Sequence, residues 1–505
     1  MWAVTRYDDM PLYEPERPRA GWSNSRKRRL RRTITWVASA LVFVLLLGGG
    51  YVAYNYFHFS NGISRLAGVI PGNKGADKDG KAQNILLIGN DARPAGVPQS
   101  VLDTLHAGTA ADGGLNTDTM IIVHLPADGS SATMISFPRD SWVSIPGHGK
   151  NKLNAAYGLA YNAQPASATQ EERDAAGAKE LIQTLQNVTG LTIDHYVRVS
   201  LLGFYNIAKA LGPIQVCLNE DTSDPTYSGA SFKKGENTLN AEQAVAFVRQ
   251  RHGLPGGDFD RETRQQYFLS VEAQKMLSAG TLLNPVKLNN ALSAVSSSLQ
   301  TDSGLDLLSL ASQMNKLKGG KIASATIPLA NPSTSYVWSG GTQLSVVNLD
   351  YAAIPDFIDS VTGQPTAAQR VAAAKAADPA SVDVDVLNGA GTARGSSTAL
   401  ATYKSLGFKT GAPGDAPARQ QVTTIYFPAG QESAAKAVSK YLPGAAVAQS
   451  SDYKNVTVVL GTDGKMPSAT PQTAPAQQAP SQGSAPASPS PSTPAKNYTK
   501  TTCIN

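Results

Sequence analysis

One segment constrains this chain more than any other: residues Ile34–Tyr54 carry no formal charge and are mostly apolar. A helix of about 21 residues extends for about 32 Å, which matches the hydrocarbon core of a bilayer. Aromatic residues recur from Tyr54 to Phe59, as is typical of a membrane interface. We predict a transmembrane helix over residues 34–56. A cleaved signal peptide is the alternative, although its apolar core would be shorter.

The tail before this segment is basic. Residues 1–32 contain nine arginines and lysines against four acidic residues, a balance of +5, whereas the whole chain has a net charge of +6. The positive-inside rule therefore places residues 1–33 in the cytoplasm and the chain beyond about residue 57 outside. Because the rest of the chain is nearly neutral, it lacks the basic surface expected of a nucleic-acid-binding protein, and we predict no nucleic-acid partner.

Composition and periodicity divide the remaining chain. Short apolar runs alternate with amphipathic stretches, a pattern that indicates a layered α/β domain. Near the C-terminus, a Pro/Ser/Ala-rich stretch lacks apolar periodicity and is predicted to be an extended linker. The predicted boundaries are a spacer at 57–83, the α/β domain at 84–330, a connector at 331–381, a second, smaller α/β domain at 382–463 and the Pro/Ser/Ala-rich tail at 464–505.

The chain has two cysteines, Cys217 and Cys503. Outside the cytoplasm, such a pair can oxidise to a disulfide. Their wide separation makes no metal-binding motif, and no Cys-x-x-Cys sequence occurs. The sequence leaves two readings open, a disulfide that ties the C-terminus to the main domain or two unpaired thiols.

Charged and amide side chains concentrate in four short segments, three of which border predicted strands. They are Asn90–Arg93, Asn116–Thr119, Pro138–Asp140, and a fourth made of Phe247–Gly253 and Gly257–Gln266. Guanidinium groups bind phosphate oxygens through paired hydrogen bonds, and one or two carboxylates suffice to hold Mg²⁺ beside them. Since phosphoryl transfer needs little beyond positioning and charge neutralisation, the pattern favours a site for a polyanion and its metal. Surface ion pairs are the alternative.

Two predicted helices bear on such a site. Leu201–Leu211 is apolar on most faces, so it either packs in a core or lines an apolar cavity. On the second helix, Arg261, Arg264 and Gln265 have the i, i+3, i+4 spacing that places side chains on one face.

Other catalytic patterns are missing from the sequence. The six histidines form no His-Glu-x-x-His motif, and no Gly-x-Ser-x-Gly motif occurs, so a zinc or serine hydrolase of those types is excluded. Gly389–Gly395 departs from the spacing of a dinucleotide-binding motif, and we interpret it as a tight turn into a helix.

Six blocks of sequence, in order, resemble the LytR-CpsA-Psr family of cell-wall glycopolymer transferases. The resembling blocks are Asn84–Arg93, Asn116–Val123, Ile135–Asp140, Lys152–Gly158, Ala246–His252 and Asp258–Gln266. Residues 382–461 resemble the LytR C-terminal domain, which is often appended to actinobacterial members. The resemblance implies an α/β fold with a three-layer α-β-α catalytic domain, and a long apolar cavity with a pyrophosphate site at its mouth.

The resemblance also implies roles for individual residues. Asp91 and Asp118 are similar to the aspartates that bind Mg²⁺. The residues expected to act in catalysis are Arg139, Asp118, Asp91, Arg249 and Arg251. Those expected to bind the pyrophosphate are Arg93, Arg139, Arg249, Arg251, Asp258, Arg261, Arg264 and Gln265.

The implied activity is Mg²⁺-dependent transfer of a glycan, through its phosphate, from a polyprenyl-pyrophosphate carrier onto peptidoglycan. Arabinogalactan is the expected glycan, because the tail and the LytR C-terminal domain are typical of actinobacteria. The protein would be a single-pass membrane protein with its catalytic domain on the outer face of the cytoplasmic membrane. The alternatives are a non-enzymatic polyprenyl-pyrophosphate-binding protein or regulator, and a hydrolase acting on the same lipids.

Overall fold

The computed structural model describes residues 62–70, 82–90, 97–109, 114–276, 278, 280, 284–306, 310, 317, 322–391, 394–417, 419–470, 496–498 and 502–505. The predicted transmembrane helix at 34–56 lies outside these residues. Among the helices that are described, none combines the length and apolar character needed to cross a bilayer.

The fold is mixed α/β, with strands and helices alternating along the chain. The strands are β1 Ser64–Leu66, β2 Gln83–Asn90, β3 Thr117–Leu125, β4 Ala132–Ser136, β5 Trp142–Ile145, β6 Gly149–Lys152, β7 His195–Ser200, β8 Ile214–Leu218, β9 Thr222–Asp224, β10 Ala230–Phe232, β11 Gly235–Leu239, β12 Leu299–Asp302, β13 Ile322–Thr326, β14 Leu329–Ser339, β15 Thr342–Leu349, β16 Asp383–Asn388, β17 Lys409–Thr410, β18 Gly414–Asp415, β19 Thr424–Phe427, β20 Ala446–Gln449, β21 Val456–Leu460, β22 Lys496–Asn497 and β23 Cys503–Ile504. The helices are α1 Gln99–Thr104, α2 Ala155–Asn162, α3 Gln170–Thr189, α4 Leu201–Leu211, α5 Ala241–Arg249, α6 Asp258–Met276, α7 Pro285–Ser298, α8 Ile354–Val361, α9 Ala367–Ala373, α10 Gly395–Ser405 and α11 Glu432–Ser439.

The main sheet has eight strands in the spatial order β1-β12-β7-β2-β3-β4-β13-β22. Side chains of β2 alternate between two apolar cores, as the period of a strand requires. Leu86 and Ile88 pack in the core that also contains Leu181 and Leu185 of α3, whereas Ile85 packs on the opposite side with Ile121 and Met134. Each fully buried Leu or Ile contributes about 1.5–3 kcal/mol. This two-sided burial explains why β2 is apolar along most of its length.

Several helix ends are fixed by local sequence. The side chain of Asn240 accepts a hydrogen bond from the backbone of Gln243, whose side chain in turn accepts one from the Asn240 backbone, so α5 begins directly after Asn240. Thr169 and Glu172 form the same reciprocal cap at α3, and Gly190 ends that helix with a left-handed φ of 73°. Such caps are worth about 1 kcal/mol each.

The topology brings the charged segments to one edge of the sheet. β2 runs antiparallel to β3, and β3 antiparallel to β4. The end of β2, the start of β3 and the end of β4 therefore meet at the same edge. This edge carries Asn90, Asp118 and Arg139, the last in the loop that follows β4.

A second apolar core lies in residues 367–460. This core packs on the sheet β17-β16-β21-β19-β20. Helices α10 and α11 contribute Leu400 and Val438 to the core. The segment between the cores is shared: Phe357 of α8 packs in the first core, whereas Val371 of α9 packs in the second. Strands β14 and β15 pair to form an antiparallel hairpin.

The end of the chain returns to the first domain. We call residues 496–498 and 502–505 the C-terminal strap. β22 extends the main sheet beside β13, β23 pairs with β8, and Cys503 forms a disulfide with Cys217. Tyr498 and Ile504 are only 4% and 6% exposed. The expectation of an extended linker does not hold for residues 496–498, where β22 pairs with β13 and Tyr498 is buried. The disulfide at Cys503 is one of the two readings that the cysteines left open.

Candidate functional site

An apolar cavity of about 420 Å³ opens beside the charged edge of the sheet. Helix α4 lines it with Leu201, Phe204 and Ile207, and helix α6 with Phe268 and Leu269. The apolar side chains of α4 therefore line a cavity, one of the two possibilities that its sequence left open. Such a surface suits the hydrocarbon part of an amphipathic ligand.

Arginines and aspartates from separate segments meet beside this cavity. We call Asp118, Arg139, Arg251, Asp258 and Arg261 the charged cluster. Arg139 bridges two elements, because its Nη1 lies 2.6 Å from Oδ1 of Asp118 and its Nε lies 3.0 Å from Oδ2 of Asp258. Arg261 Nη2 lies 3.1 Å from the same Asp258 oxygen, and Arg251 Nε lies 3.7 Å from Oδ1. Asp140 Oδ2 also lies 3.9 Å from Arg139 Nε, and Lys152 Nζ lies 3.0 Å from the other Asp140 oxygen. Counting this pair, four cations against three aspartates leave the region positive, as a site for an anion requires.

The two most buried arginines of the cluster differ in electrostatics. Burial disfavours the charge of Arg139, but Asp118, Asp258 and Asp140 outweigh this effect and raise its pKa. For Arg261, burial and the neighbouring Arg139 and Arg251 outweigh the aspartates, so its pKa is lowered. Arg261 Nε is buried and has no hydrogen-bond partner among the residues described. A phosphate oxygen bound here would accept a hydrogen bond from Nε and would stabilise the charged form of Arg261.

Two further predicted residues, Arg249 and Gln265, also line the apolar cavity. Arg249 donates from Nη1 to the carbonyl oxygens of Leu105 and His106, at 2.9 and 3.2 Å. Gln265 donates to the carbonyl oxygen of Val248 at 3.2 Å. These bonds hold the ends of α5 and α1 beside the cavity, so both side chains are anchored where a ligand's polar group would pass.

Arg264 does not belong to this site, and its predicted role in binding pyrophosphate is wrong for this structure. Its side chain is fully enclosed, and it donates to Gln250, Thr222 and the backbone oxygen of Asn505. Successive helix residues turn by about 100°, so Arg264 and Gln265 diverge although both neighbour Arg261 on the helix surface. Arg264 therefore joins α6 to the C-terminal strap.

Asp91 and Arg93 lie outside the described residues, so their predicted roles remain predictions. Next to them, the side chain of Asn90 is buried, and neither its oxygen nor its nitrogen has a hydrogen-bond partner within the described part of the chain. Asn90 and Asp118 line the same cavity. Among the described residues, no three His, Cys, Asp or Glu side chains group as a metal site. The oxygens of Asp118 and Asn90 are nevertheless the ligand type that Mg²⁺ prefers.

Sequence reasoning missed Glu272, which also lines the apolar cavity. Neither carboxylate oxygen has a hydrogen-bond partner among the described residues, and burial raises the pKa to about 7. A pattern could have revealed it, because Arg261, Gln265, Phe268 and Glu272 follow the i, i+4, i+7, i+11 spacing of one helical stripe. All four line the cavity.

The raised pKa of Glu272 predicts a dependence of stability on pH. Between pH 4.5 and about 7, Glu272 is protonated in the folded protein but ionised in the unfolded chain. Its contribution to the free energy of unfolding is therefore complete below pH 4.5 and is lost as pH rises through 7. We compare the free energy of unfolding of Glu272→Gln with that of the wild type at each pH. We expect this difference to be more favourable to the variant by about 2 kcal/mol at pH 8 than at pH 5. Urea denaturation at both pH values measures this difference. The control is Glu236→Gln at an exposed position. Equal effects of Glu272→Gln at pH 5 and pH 8 would contradict the prediction.

Known proteins are similar to this chain in sequence, one of them over most of its length. The LytR_cpsA_psr family model matches residues 60–363, and the model described as LytR cell envelope-related transcriptional attenuator matches residues 381–463. The cell wall biosynthesis protein LcpA of Corynebacterium glutamicum is 34% identical over 459 residues, 85% of each chain. The polyisoprenyl-teichoic acid–peptidoglycan teichoic acid transferase TagU of Enterococcus faecalis is 31% identical over 218 residues, 43% of this chain and 64% of that protein.

Solved structures also match. That of B. subtilis TagV is 24% identical, with a TM-score of 0.41 over 56% of this chain and 98% of that chain. The structure of TagT bound to LI-WTA is 20% identical, with a TM-score of 0.41 over 60% of this chain and 98% of that chain. The match of the family model to residues 60–363 and the 34% identity to LcpA along 85% of both proteins show that this chain belongs to the LytR-CpsA-Psr family.

Proposed function

We propose that this protein transfers a glycan, with its linking phosphate, from a polyprenyl pyrophosphate onto peptidoglycan. One observation carries the proposal: the positive charged cluster lies beside an apolar cavity and shares Asp118, Arg251 and Arg261 with its lining. A polyprenyl pyrophosphate has the same two parts, a hydrocarbon chain and a doubly phosphorylated head. The cavity matches the first and the arginines match the second.

The names of relatives support the same chemistry. The name of TagU states a polyisoprenyl-linked donor and a peptidoglycan acceptor, and that of LcpA states a role in cell wall biosynthesis. The long match to a Corynebacterium protein supports an actinobacterial polymer, and we propose arabinogalactan as the glycan.

In the proposed reaction, a hydroxyl oxygen of the acceptor sugar attacks the phosphorus nearer the glycan, and the bond from that phosphorus to the bridging oxygen breaks. Polyprenyl phosphate leaves with the bridging oxygen, and the glycan keeps its phosphate in a new phosphodiester. The hydroxyl proton passes to a carboxylate of the site or to water. Arg139 and Arg261 neutralise the charge that develops on the bridging oxygen.

We further propose that the site holds Mg²⁺ through Asp118, with Asp91 and the side-chain oxygen of Asn90 as additional ligands. A divalent cation there would withdraw charge from the phosphate oxygens. Asp118 serves two purposes in this arrangement, because it also accepts the hydrogen bond that orients Arg139.

We propose an extracytoplasmic position for the folded domains, anchored by the predicted helix at 34–56. The disulfide between Cys217 and Cys503 supports it, because such bonds persist in oxidising compartments. The basic tail at 1–33 supports the orientation with the N-terminus inside.

A transfer assay tests the function. The full chain in detergent is incubated with radiolabelled polyprenyl-pyrophosphate-linked glycan, peptidoglycan and Mg²⁺. We expect labelled peptidoglycan, a loss of product with EDTA that Mg²⁺ restores, and a rate about 100-fold lower for Asp118→Asn. The matched control is Asp452→Asn, which removes an exposed carboxylate on the second domain.

The products separate the alternatives. Released glycan phosphate as the dominant product in the presence of acceptor would identify a hydrolase. Bound lipid with no product in the wild type would identify a carrier or regulator. Either result would contradict the proposed transfer.

A further inference from the structure

A second cavity, of about 170 Å³, is also lined by residues of the charged cluster. It shares Asp118, Thr119, Arg261 and Gln265 with the apolar cavity, and Arg139 and Asp258 also line it. The two cavities therefore meet at the charged cluster. A transfer reaction between two bulky substrates needs two such approaches to one reacting centre.

The β14–β15 hairpin forms one wall of the second cavity through Thr334, Ser345 and Val347. Thr334 and Val347, which pair across the hairpin, lie at one end of a continuous surface. Along β14, Thr334, Tyr336 and Trp338 alternate with half-buried residues and share one exposed face. Their partners across the hairpin are Val347, Ser345 and Gln343. The face that starts in the cavity thus continues outward as two aromatic rings.

These rings are unusually exposed. Tyr336 is 71% and Trp338 is 75% exposed, although such large apolar groups are normally at least partly covered. They lie about 7 Å apart along the strand, on the scale of neighbouring sugar rings. The flat faces of sugars, which carry C–H groups, pack against aromatic rings, and their hydroxyls bond to groups such as Ser345 and Gln343 beside them.

The hairpin is hydrogen-bonded to the loop that follows β4 and carries Arg139. The backbone N–H of Val347 donates to the carbonyl oxygen of Asp140 at 2.9 Å, and Val347 also bridges to Ser141. Because Asp140 directly follows Arg139, the aromatic face has a fixed position relative to the charged cluster. A ligand held on the hairpin would reach the reacting phosphate through the second cavity.

We propose that the second cavity and the exposed face of the hairpin form the binding site for the acceptor, a glycan strand of peptidoglycan. This inference rests on the proposed function. The donor lipid would enter through the apolar cavity and the acceptor hydroxyl through the second. A membrane surface is a poorer partner for this face, since residues 329–349 contain no lysine or arginine to attract anionic lipid.

The test compares the full-length protein with the double variant Tyr336→Ala/Trp338→Ala. Tyr336→Phe/Trp338→Phe retains both rings, and Val286→Ala removes an exposed apolar side chain elsewhere. Binding of soluble, uncrosslinked peptidoglycan strands and of polyprenyl pyrophosphate is measured separately, and the transfer assay gives KM for the acceptor. Thermal melting checks the fold of each variant.

We expect the alanine variant to bind peptidoglycan strands at least tenfold more weakly and to raise the acceptor KM by the same factor, with unchanged kcat and lipid binding. The phenylalanine variant and Val286→Ala should behave as the wild type. An unchanged acceptor KM in the alanine variant would overturn this proposal and leave the proposed function unaffected. A selective loss of binding to phosphatidylglycerol vesicles would also overturn it, in favour of a membrane contact. A wild type that binds the lipid but transfers nothing would overturn both this proposal and the proposed function.

Discussion

Replacing Arg139 with alanine is expected to lower the rate of transfer at least 100-fold, equivalent to about 2.7 kcal/mol of transition-state stabilisation. The physical reason is its double contact, because one guanidinium holds Asp118 of β3 and Asp258 of α6 together. Its loss removes a positive charge from the point where the two cavities meet and leaves two carboxylates to repel each other. The radiolabelled transfer assay measures this effect.

Two further variants make the result specific. Arg139→Lys keeps the charge but not the planar fork that reaches both carboxylates, so we expect an intermediate loss of about tenfold. Arg370→Ala is the matched control, because Arg370 forms an equally short pair with Asp359, 2.6 Å apart, between α8 and α9. A variant Arg139→Ala that folds and keeps more than a tenth of wild-type activity would rule out this role.

Removing the disulfide is expected to have the largest effect on stability. Serine at Cys503 should lower the free energy of unfolding of the first domain by about 4 kcal/mol, because the bond closes a loop of 286 residues in the unfolded chain. The strap would also lose the constraint that keeps Ile504 in its core and Asn505 on Arg264. Urea denaturation under oxidising conditions measures the loss.

Reductant provides the internal control for this prediction. Wild type treated with a thiol should fall to the stability of Cys503→Ser, whereas the variant itself should not respond. The double variant Cys217→Ser/Cys503→Ser should match the single one, since either change breaks the same bond. A wild type whose unfolding curve is unaffected by reductant would show that the disulfide adds no stability.

Local signals explain which parts of the fold were predictable. The start of α5 depends on local sequence alone, because the reciprocal cap between Asn240 and Gln243 lies within four consecutive residues. Strand β2 is likewise recognisable from local sequence, since an apolar run between polar residues is typical of a strand that is covered on both faces. The positions of Asp118 and Arg139 at strand ends likewise anticipated their meeting.

Long-range packing explains the rest. Nothing near Arg264 in the sequence distinguishes it from Arg261, because its hydrogen-bond acceptors lie far away in the chain, at Thr222, Gln250 and Asn505. Most of the hairpin lay within the predicted connector at 331–381, because the exposed Tyr336 and Trp338 hide the alternation of apolar and polar residues by which a half-buried strand is recognised. Glu272 stood out only after helix α6 was seen beside an apolar cavity.

The disulfide also closes a covalent ring. Everything between Cys217 and Cys503 lies within it, including α6, both hairpin strands and the whole smaller core. One proteolytic cut anywhere in that ring opens it but releases no fragment, and the two halves separate only after reduction. The smaller domain therefore cannot be shed by a single cleavage while the cystine is intact.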